Sequence, residues 1–368
     1  MPAAEFRVLA INPGSASTKF ALYVGESAAL VKNLRHSDED LLPFQGRPIL
    51  DQQQYRAGQI EAALREAGHD IGELHAVVGR GGLLPPVSSG TYLVNQDMLD
   101  ELRLARRGEH ASNLGASLAY ELARKSGAPA FIVDPVSVDE WPEQGRLSGS
   151  AVLERQCLSH ALNSKAVAKR YARECGRSYE SLRLIVAHLG SGISVSAHEN
   201  GRMLDVTNSR EEGAFSTERA GGVPVMQLVE LCFSGRYTQR QIETLLFREG
   251  GLYSYLGTRD LVEVERRVAN GDARARQVLT AMTYQIAKEI GAMAVVLRGR
   301  VDALLLTGGM AHSDRLSSEL ESYVSWIAPI VRYPGEDELQ ALAEGALRVL
   351  RHEEEPRLLA RSRDLVTQ

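Results

Sequence analysis

Two stretches far apart in this chain follow one pattern, and that repetition limits the fold more than any other feature. The first is a short apolar strand, Arg7-Val8-Leu9-Ala10-Ile11-Asn12. It enters the small-residue turn Pro13-Gly14-Ser15-Ala16-Ser17 and leaves as a second strand over 19–24. The second copy runs as a strand over 184–189 into Gly190-Ser191-Gly192. Strands over 193–197 and 202–206 follow, joined by Glu199-Asn200-Gly201. A duplicated α/β fold leaves this trace, with one copy opening each half. The 368 residues suit two packed domains better than one core.

Between the copies, three- and four-residue spacing of apolar positions predicts helices over 52–67, 96–107, 114–125 and 153–174. In the second half Val278, Met282, Ile286, Ile290, Met293 and Leu297 mark one long helix with a buried stripe. A buried strand over 301–306 then runs into Thr307-Gly308-Gly309, and Ser313 is placed to cap the next helix. A closing helix from about Glu338 to Leu350 is expected to pack back on the first domain. The first domain is therefore expected to span 1–150 with a returning helix over 339–368, and the second 151–338. No Pro/Gly/Ser-rich linker separates them, so short hinges and a cleft between the domains are expected.

A formal net charge of -5 gives no general attraction to nucleic acid or to an anionic membrane, so an anion has to be held by local positive groups. Cys157, Cys175 and Cys232 are odd in number and lack CxxC spacing, which argues against a disulfide framework and a zinc site. No run approaches the ~18 apolar residues of a spanning helix. A reducing cytoplasm is the expected location.

Several turns then stand out as sites for chemistry. Asn12 to Lys19 combines a glycine, hydroxyls and a lysine that could converge on phosphate oxygens, yet it lacks the GxxxxGK[ST] of a P-loop and a strand follows it. An ordinary tight hairpin is the alternative. His188, at the end of a buried strand before Gly190-Ser191-Gly192, is either a partner for a transferring phosphoryl group or a structural imidazole. Thr307-Gly308-Gly309 permits close approach of a nucleotide. Arg80, Arg219 and Arg259 lie among small residues, where a planar guanidinium can grip two oxygens of a carboxylate or phosphate. Asp134, after Phe131-Ile132-Val133, is a candidate for magnesium or a turn-forming Asp before Pro135. His110 either touches the substrate or fixes its loop. Glu336, Asp337 and Glu338 are either metal or nucleotide partners or an acidic cluster opening a helix.

At these residues the chain resembles the acetokinase family. The resemblance rests on INPGSASTKFALY, AVVGRGGLLPP, GEHASNLG, FIVDPVSVDE, HALNSKAVAKRYA, VAHLGSGISVSAHENGRMLDVTNS, GAFSTERAGGVP, LLLTGGMAHSD and YPGEDELQALAEGALRVL, which occur in family order across most of the chain. It is nearest the members of the family that phosphorylate butyrate. The resemblance implies two duplicated actin/hexokinase-like (ribonuclease H-like) domains, with ATP, Mg²⁺ and a short-chain carboxylate as ligands and a homo-oligomer as the assembly. By motif, Asn12, Gly14, Ser15, Ser17 and Lys19 would form the first phosphate loop. Gly190, Ser191, Gly192 and Asn208 would contact the nucleotide phosphates. His188 would touch the transferring phosphoryl group and Arg219 would stabilise it. Asp134 and Glu338 would serve magnesium, Arg259, Gly308 and Gly309 the nucleotide, and His110 the substrate. Val77 stands where acetate-using members carry a substrate arginine, and Arg80 takes that role by proximity. Gly257 stands where they carry an aspartate.

Overall fold

The computed structural model describes residues 5–359. The chain divides into two compact units, Met1–Asp139 with Asp337–Gln368, and Glu140–Glu336. The first changeover comes before the boundary read at 150, because Glu140 already belongs to the second unit. Its Oε2 accepts from the Met203 amide at 2.8 Å and from the buried Lys165 Nζ at 2.7 Å.

The first unit holds β1 (Arg7–Pro13), β2 (Ser17–Val24), β3 (Ser27–Arg35), β4 (Ala76–Arg80), β5 (Thr91–Leu93) and β6 (Ala130–Val133), in the order β3-β2-β1-β4-β6-β5. β1, β2 and β3 form an antiparallel meander, β4 and β6 run parallel to β1, and β5 is an antiparallel edge. The second unit holds β7 (Arg183–Leu189), β8 (Ile193–Glu199), β9 (Arg202–Val206), β10 (Ala303–Gly308) and β11 (Ile330–Pro334). Its order, β11-β10-β7-β8-β9, repeats the first sheet strand for strand apart from the β5 edge, with the same directions. The repeat read in the sequence is thus a duplicated fold of the actin/hexokinase-like, ribonuclease H-like class.

Alternation along each strand sorts its side chains between two covered faces. Leu9, Ile11, Phe20, Leu22 and Val77 join the core formed with the helices Gln53–Glu66 and Asn113–Ser126. The other face of β1 and β4 lies under the helix Glu338–Leu350. In the second unit Ile185, Ala187 and Leu189 pack with the long helix Ala273–Val296, while Leu184 and Val186 pack with Ala161–Glu174. The long helix buries Val278, Met282, Ile286, Ile290 and Met293 as the spacing predicts, and Ser313 Oγ caps Asp314–Val324 by accepting from the Leu316 amide.

Two helices are shorter than expected. The one over 96–107 ends at Leu104, where Ala105 turns left-handed. The pattern over 153–174 becomes a helix only from Ala161. Val152 and Leu153 are exposed, so their apolar spacing has no face to bury, and Arg155 is held outside helical register by Glu212, Asp205 and the Gly145 carbonyl.

Candidate active site

Strand register places the candidate residues of the first unit in a row. Ile11 pairs with Gly79 and Arg80 pairs with Val133, so Asn12, Arg80 and Asp134 stand at the carboxyl ends of three neighbouring parallel strands. That is where open α/β sheets take ligands. Arg80 Nη1 meets both oxygens of Glu338 at 3.0 Å, and Asn12 Nδ2 donates to the same carboxylate. The Nε of Arg80 is buried without a hydrogen-bond partner, a donor left unsatisfied. Lys19 lies directly opposite Asn12 across the β1–β2 ladder, hence on the same face, and is exposed.

Asp134 is buried with φ at 38°, a strained conformation at the end of β6. Its Oδ1 accepts from Ser89 Oγ at 2.6 Å and from the Gly90 amide at 2.8 Å, contacts to the segment before β5 that is distant in sequence, not the local bonds of a turn-forming Asp. His110 is exposed, with Nδ1 beside Ser112 Oγ at 2.8 Å, so one ring nitrogen fixes its own loop.

The second unit repeats the row. His188 pairs with Thr307 and Gly308 with Pro334, so His188, Gly308 and the Gly335-Glu336 turn mark the ends of β7, β10 and β11. Gly308, at φ 87°, passes so close that a Cβ would meet the Leu189 carbonyl at 2.4 Å, and it exchanges backbone hydrogen bonds with Gly335. His188 is buried, with Nδ1 2.8 Å from Asn163 Oδ1 and Nε2 3.1 Å from Glu336 Oε1. Asn163 Oδ1 can only accept, which fixes the Nδ1 proton.

His160 stacks flat on His188, the ring centroids 3.8 Å apart, and its Nδ1 lies 2.9 Å from Ser194 Oγ. Sequence reasoning did not single out His160, because it fell inside the pattern extended back to 153. Its place beside an Asn three residues on, at a helix start, was the available signal.

Arg219 is partly buried, and desolvation lowers its pKa from the usual guanidinium value. It has no carboxylate within salt-bridge distance among the described residues; Nη1 donates to Ser209 Oγ at 2.9 Å and to the Ser209 carbonyl at 3.3 Å. Ser216 Oγ donates to the Ser191 carbonyl and accepts from the Arg219 amide at 3.1 Å, tying the Gly190–Gly192 turn to the arginine loop. Asn208 uses its side chain on the same loop, donating to the Gln156 carbonyl and accepting from the Arg210 amide. Arg259 lies over the Tyr253 ring at 3.8 Å and pairs with Glu218 at 3.3 Å. Gly309 opens the short turn after β10.

No group of three or more His, Cys, Asp or Glu side chains among the described residues could cage a metal. Asp134 and Glu338 nevertheless fit magnesium, which keeps most of its waters and takes only one or two carboxylates beside nucleotide phosphates. Both are buried carboxylates of the first unit. No described helix is long and apolar enough to cross a membrane.

Butyrate kinase 1 of Clostridium acetobutylicum is 50% identical to the chain over 350 residues, which cover 95% of the chain and 98% of that protein. The chain belongs to the acetokinase family. The Acetokinase family profile matches residues 153–320. Among solved structures, Porphyromonas gingivalis acetate kinase superposes with a TM-score of 0.79 at 20% identity, covering 94% of this chain and all of that one. A Francisella tularensis propionate kinase superposes at 0.73 and 18% identity, covering 92% and 98%. At these identities the likeness shows the fold. As an acetokinase-family member the chain is a phosphotransferase acting on a carboxylate, with ATP and ADP as its nucleotides.

Proposed function

We propose that the chain phosphorylates butyrate with Mg²⁺-ATP, giving butanoyl phosphate and ADP. The observation that carries this reading is the 50% identity with a butyrate kinase across nearly its whole length. An anion-seeking site in each unit supports it.

A short fatty acid is already ionised at neutral pH, with a carboxyl pKa near ~4–5, so its attacking oxygen needs no general base. What the protein has to overcome is repulsion between two anions. In the proposed step a carboxylate oxygen bonds to the γ-phosphorus while the β–γ bridging oxygen leaves with ADP. Arg219, partly desolvated and with no carboxylate within salt-bridge distance among the described residues, would neutralise charge spread over the transferring phosphoryl oxygens. His188, with its Nδ1 proton committed to Asn163 and its ring stacked on His160, would donate a hydrogen bond there through Nε2 in its doubly protonated form.

In the first unit Arg80 would bind the acid through its unsatisfied edge, and His110 would contact it by motif. Asn12, Gly14, Ser15, Ser17 and Lys19 would hold phosphate. Asp134 and Glu338 would hold magnesium through water, adding positive charge beside the phosphates. In the second unit Gly190, Ser191, Gly192, Asn208, Arg259, Gly308 and Gly309 would hold the nucleotide. Incubation with Mg²⁺-ATP, butyrate and hydroxylamine tests the reading. Butyrate-dependent butyryl hydroxamate and ADP are expected, and their absence refutes it.

The chain is proposed to act in the cytoplasm as a homodimer. The helix Val225–Cys232 buries none of its residues. Val225, Met226 and Phe233 are exposed, and the following helix Gln239–Phe247 buries only Ile242. An apolar surface of this kind marks an interface, and a second copy is the occupant proposed here. Phe233→Asp should shift the sedimentation coefficient from dimer to monomer; an unchanged coefficient contradicts the interface.

A further inference from the structure

Arg56 lies within the helix Gln53–Glu66 and is the largest fully buried side chain among the described residues. No carboxylate among the described residues pairs with it. Nε and Nη2 donate to Gln52 Oε1 at 2.9 and 2.7 Å. Nη1 donates to the carbonyls of Gly14 and Ser17 at 2.8 and 2.9 Å and to Thr18 Oγ1 at 3.1 Å, and Nη2 donates to the Ser15 carbonyl at 2.8 Å. Burial lowers its pKa to about 10, so it remains a cation at neutral pH. A buried charge without a counter-ion is costly to desolvate, and here hydrogen bonds to the oxygens of one turn and of Gln52 offset that cost.

The geometry of the turn indicates what Arg56 does. Peptide planes are trans, so each carbonyl points opposite to the N–H of the next residue. With the carbonyls of Gly14 and Ser15 drawn inward onto the guanidinium, the N–H groups of Ser15 and Ala16 point away from it. Both residues are exposed, and neither N–H enters the backbone hydrogen bonds of the turn. Successive outward N–H groups over a buried cation make an anion-binding concavity.

We propose that Arg56 is a positioning residue for phosphoryl transfer, holding the 13–17 turn so that the Ser15 and Ala16 amides face the phosphate oxygens of the nucleotide. This rests on the reading of residues 12–19 as a phosphate loop.

The test compares Arg56→Lys and Arg56→Met with Asn12→Ala and Lys19→Ala by steady-state kinetics and thermal melting, in parallel with amide spectra of the ¹⁵N-labelled parent protein titrated with Mg²⁺-ATP. Arg56→Met should lower kcat/KM for ATP by about 10²-fold, the scale seen when one preorganised donor to a transition-state anion is lost. The KM for butyrate should stay near the parent value. Arg56→Lys, which keeps the charge without the fork, should recover part of the loss. In the parent, the Ser15 and Ala16 amides should shift on adding Mg²⁺-ATP.

Folded Arg56 variants with parental kinetics, or a rise in both KM values together, overturn the proposal. Unmoved Ser15 and Ala16 amides do so too, even where a variant fails to fold. If Asn12→Ala and Lys19→Ala are also silent, the phosphate-loop reading has failed; if they impair activity while Arg56 is silent, only this inference has.

Discussion

The guanidinium of Arg219 occupies the space that a side chain on Gly192 would need: a Cβ there would stand 2.6 Å from Nη1. The obstructed atom is the end of a flexible side chain, so an added methyl would displace the arginine without breaking the turn. Gly192→Ala is therefore expected to leave the melting temperature near the parent value and to lower kcat. Arg219→Ala should lower kcat by roughly 10³-fold or more with the protein still folded. A loss confined to KM would refute the transition-state role of Arg219.

Arg80 is tied to Glu338 and also carries an unsatisfied Nε, and the two features are separable. Arg80→Met strands a buried carboxylate and should cost on the order of 3 kcal/mol of stability in urea titrations. Adding Glu338→Gln removes the stranded charge and should restore part of that stability while activity stays below that of Glu338→Gln alone, the variant that accounts for the carboxylate proposed to hold magnesium. Recovery of activity together with stability would make Arg80 structural.

His198 is completely buried, with Nδ1 2.6 Å from Tyr179 Oη and Nε2 2.8 Å from Ser196 Oγ. Burial, with a smaller contribution from the Lys165 cation, pushes its pKa down to about 3 from the ordinary 6.5. Above the ordinary value the ring is neutral folded or unfolded and contributes no slope. As pH falls below it, the unfolded chain takes up a proton that the folded protein refuses, so stability is lost progressively from near pH 6.5 toward pH 3, at up to about 1.4 kcal/mol per pH unit. Urea titrations from pH 7 to 5 should show a shallower dependence for His198→Gln; matching slopes would contradict this.

What was legible in the sequence was what depends on local pattern. The two Gly-Ser turns, the strands beside them and Thr307-Gly308-Gly309 could be read because apolar runs and small residues set them within a few positions. Arg56 could not, since a polar residue in an exposed-looking helix becomes buried only when three carbonyls of a distant turn and Gln52 gather around it. His160 was hidden for a related reason. Periodicity carried the helix back to 153, whereas contacts of Arg155 with Glu212 and Asp205, far along the chain, hold that segment open. The partners of Glu336 and Glu338 also come from strand ends distant in sequence, so the acidic cluster alone did not assign His188 to one and Arg80 to the other.

Butyrate is the acceptor proposed to be preferred. The most direct measurement is kcat/KM with Mg²⁺-ATP over acetate, propionate, butyrate and isobutyrate. A pocket separates neighbouring acids by only ~1–3 kcal/mol per methylene, so the expected profile is a maximum at butyrate with acetate lower by roughly tenfold or more. A maximum at acetate, or no acid-dependent ADP release with any of the four, would contradict that preference.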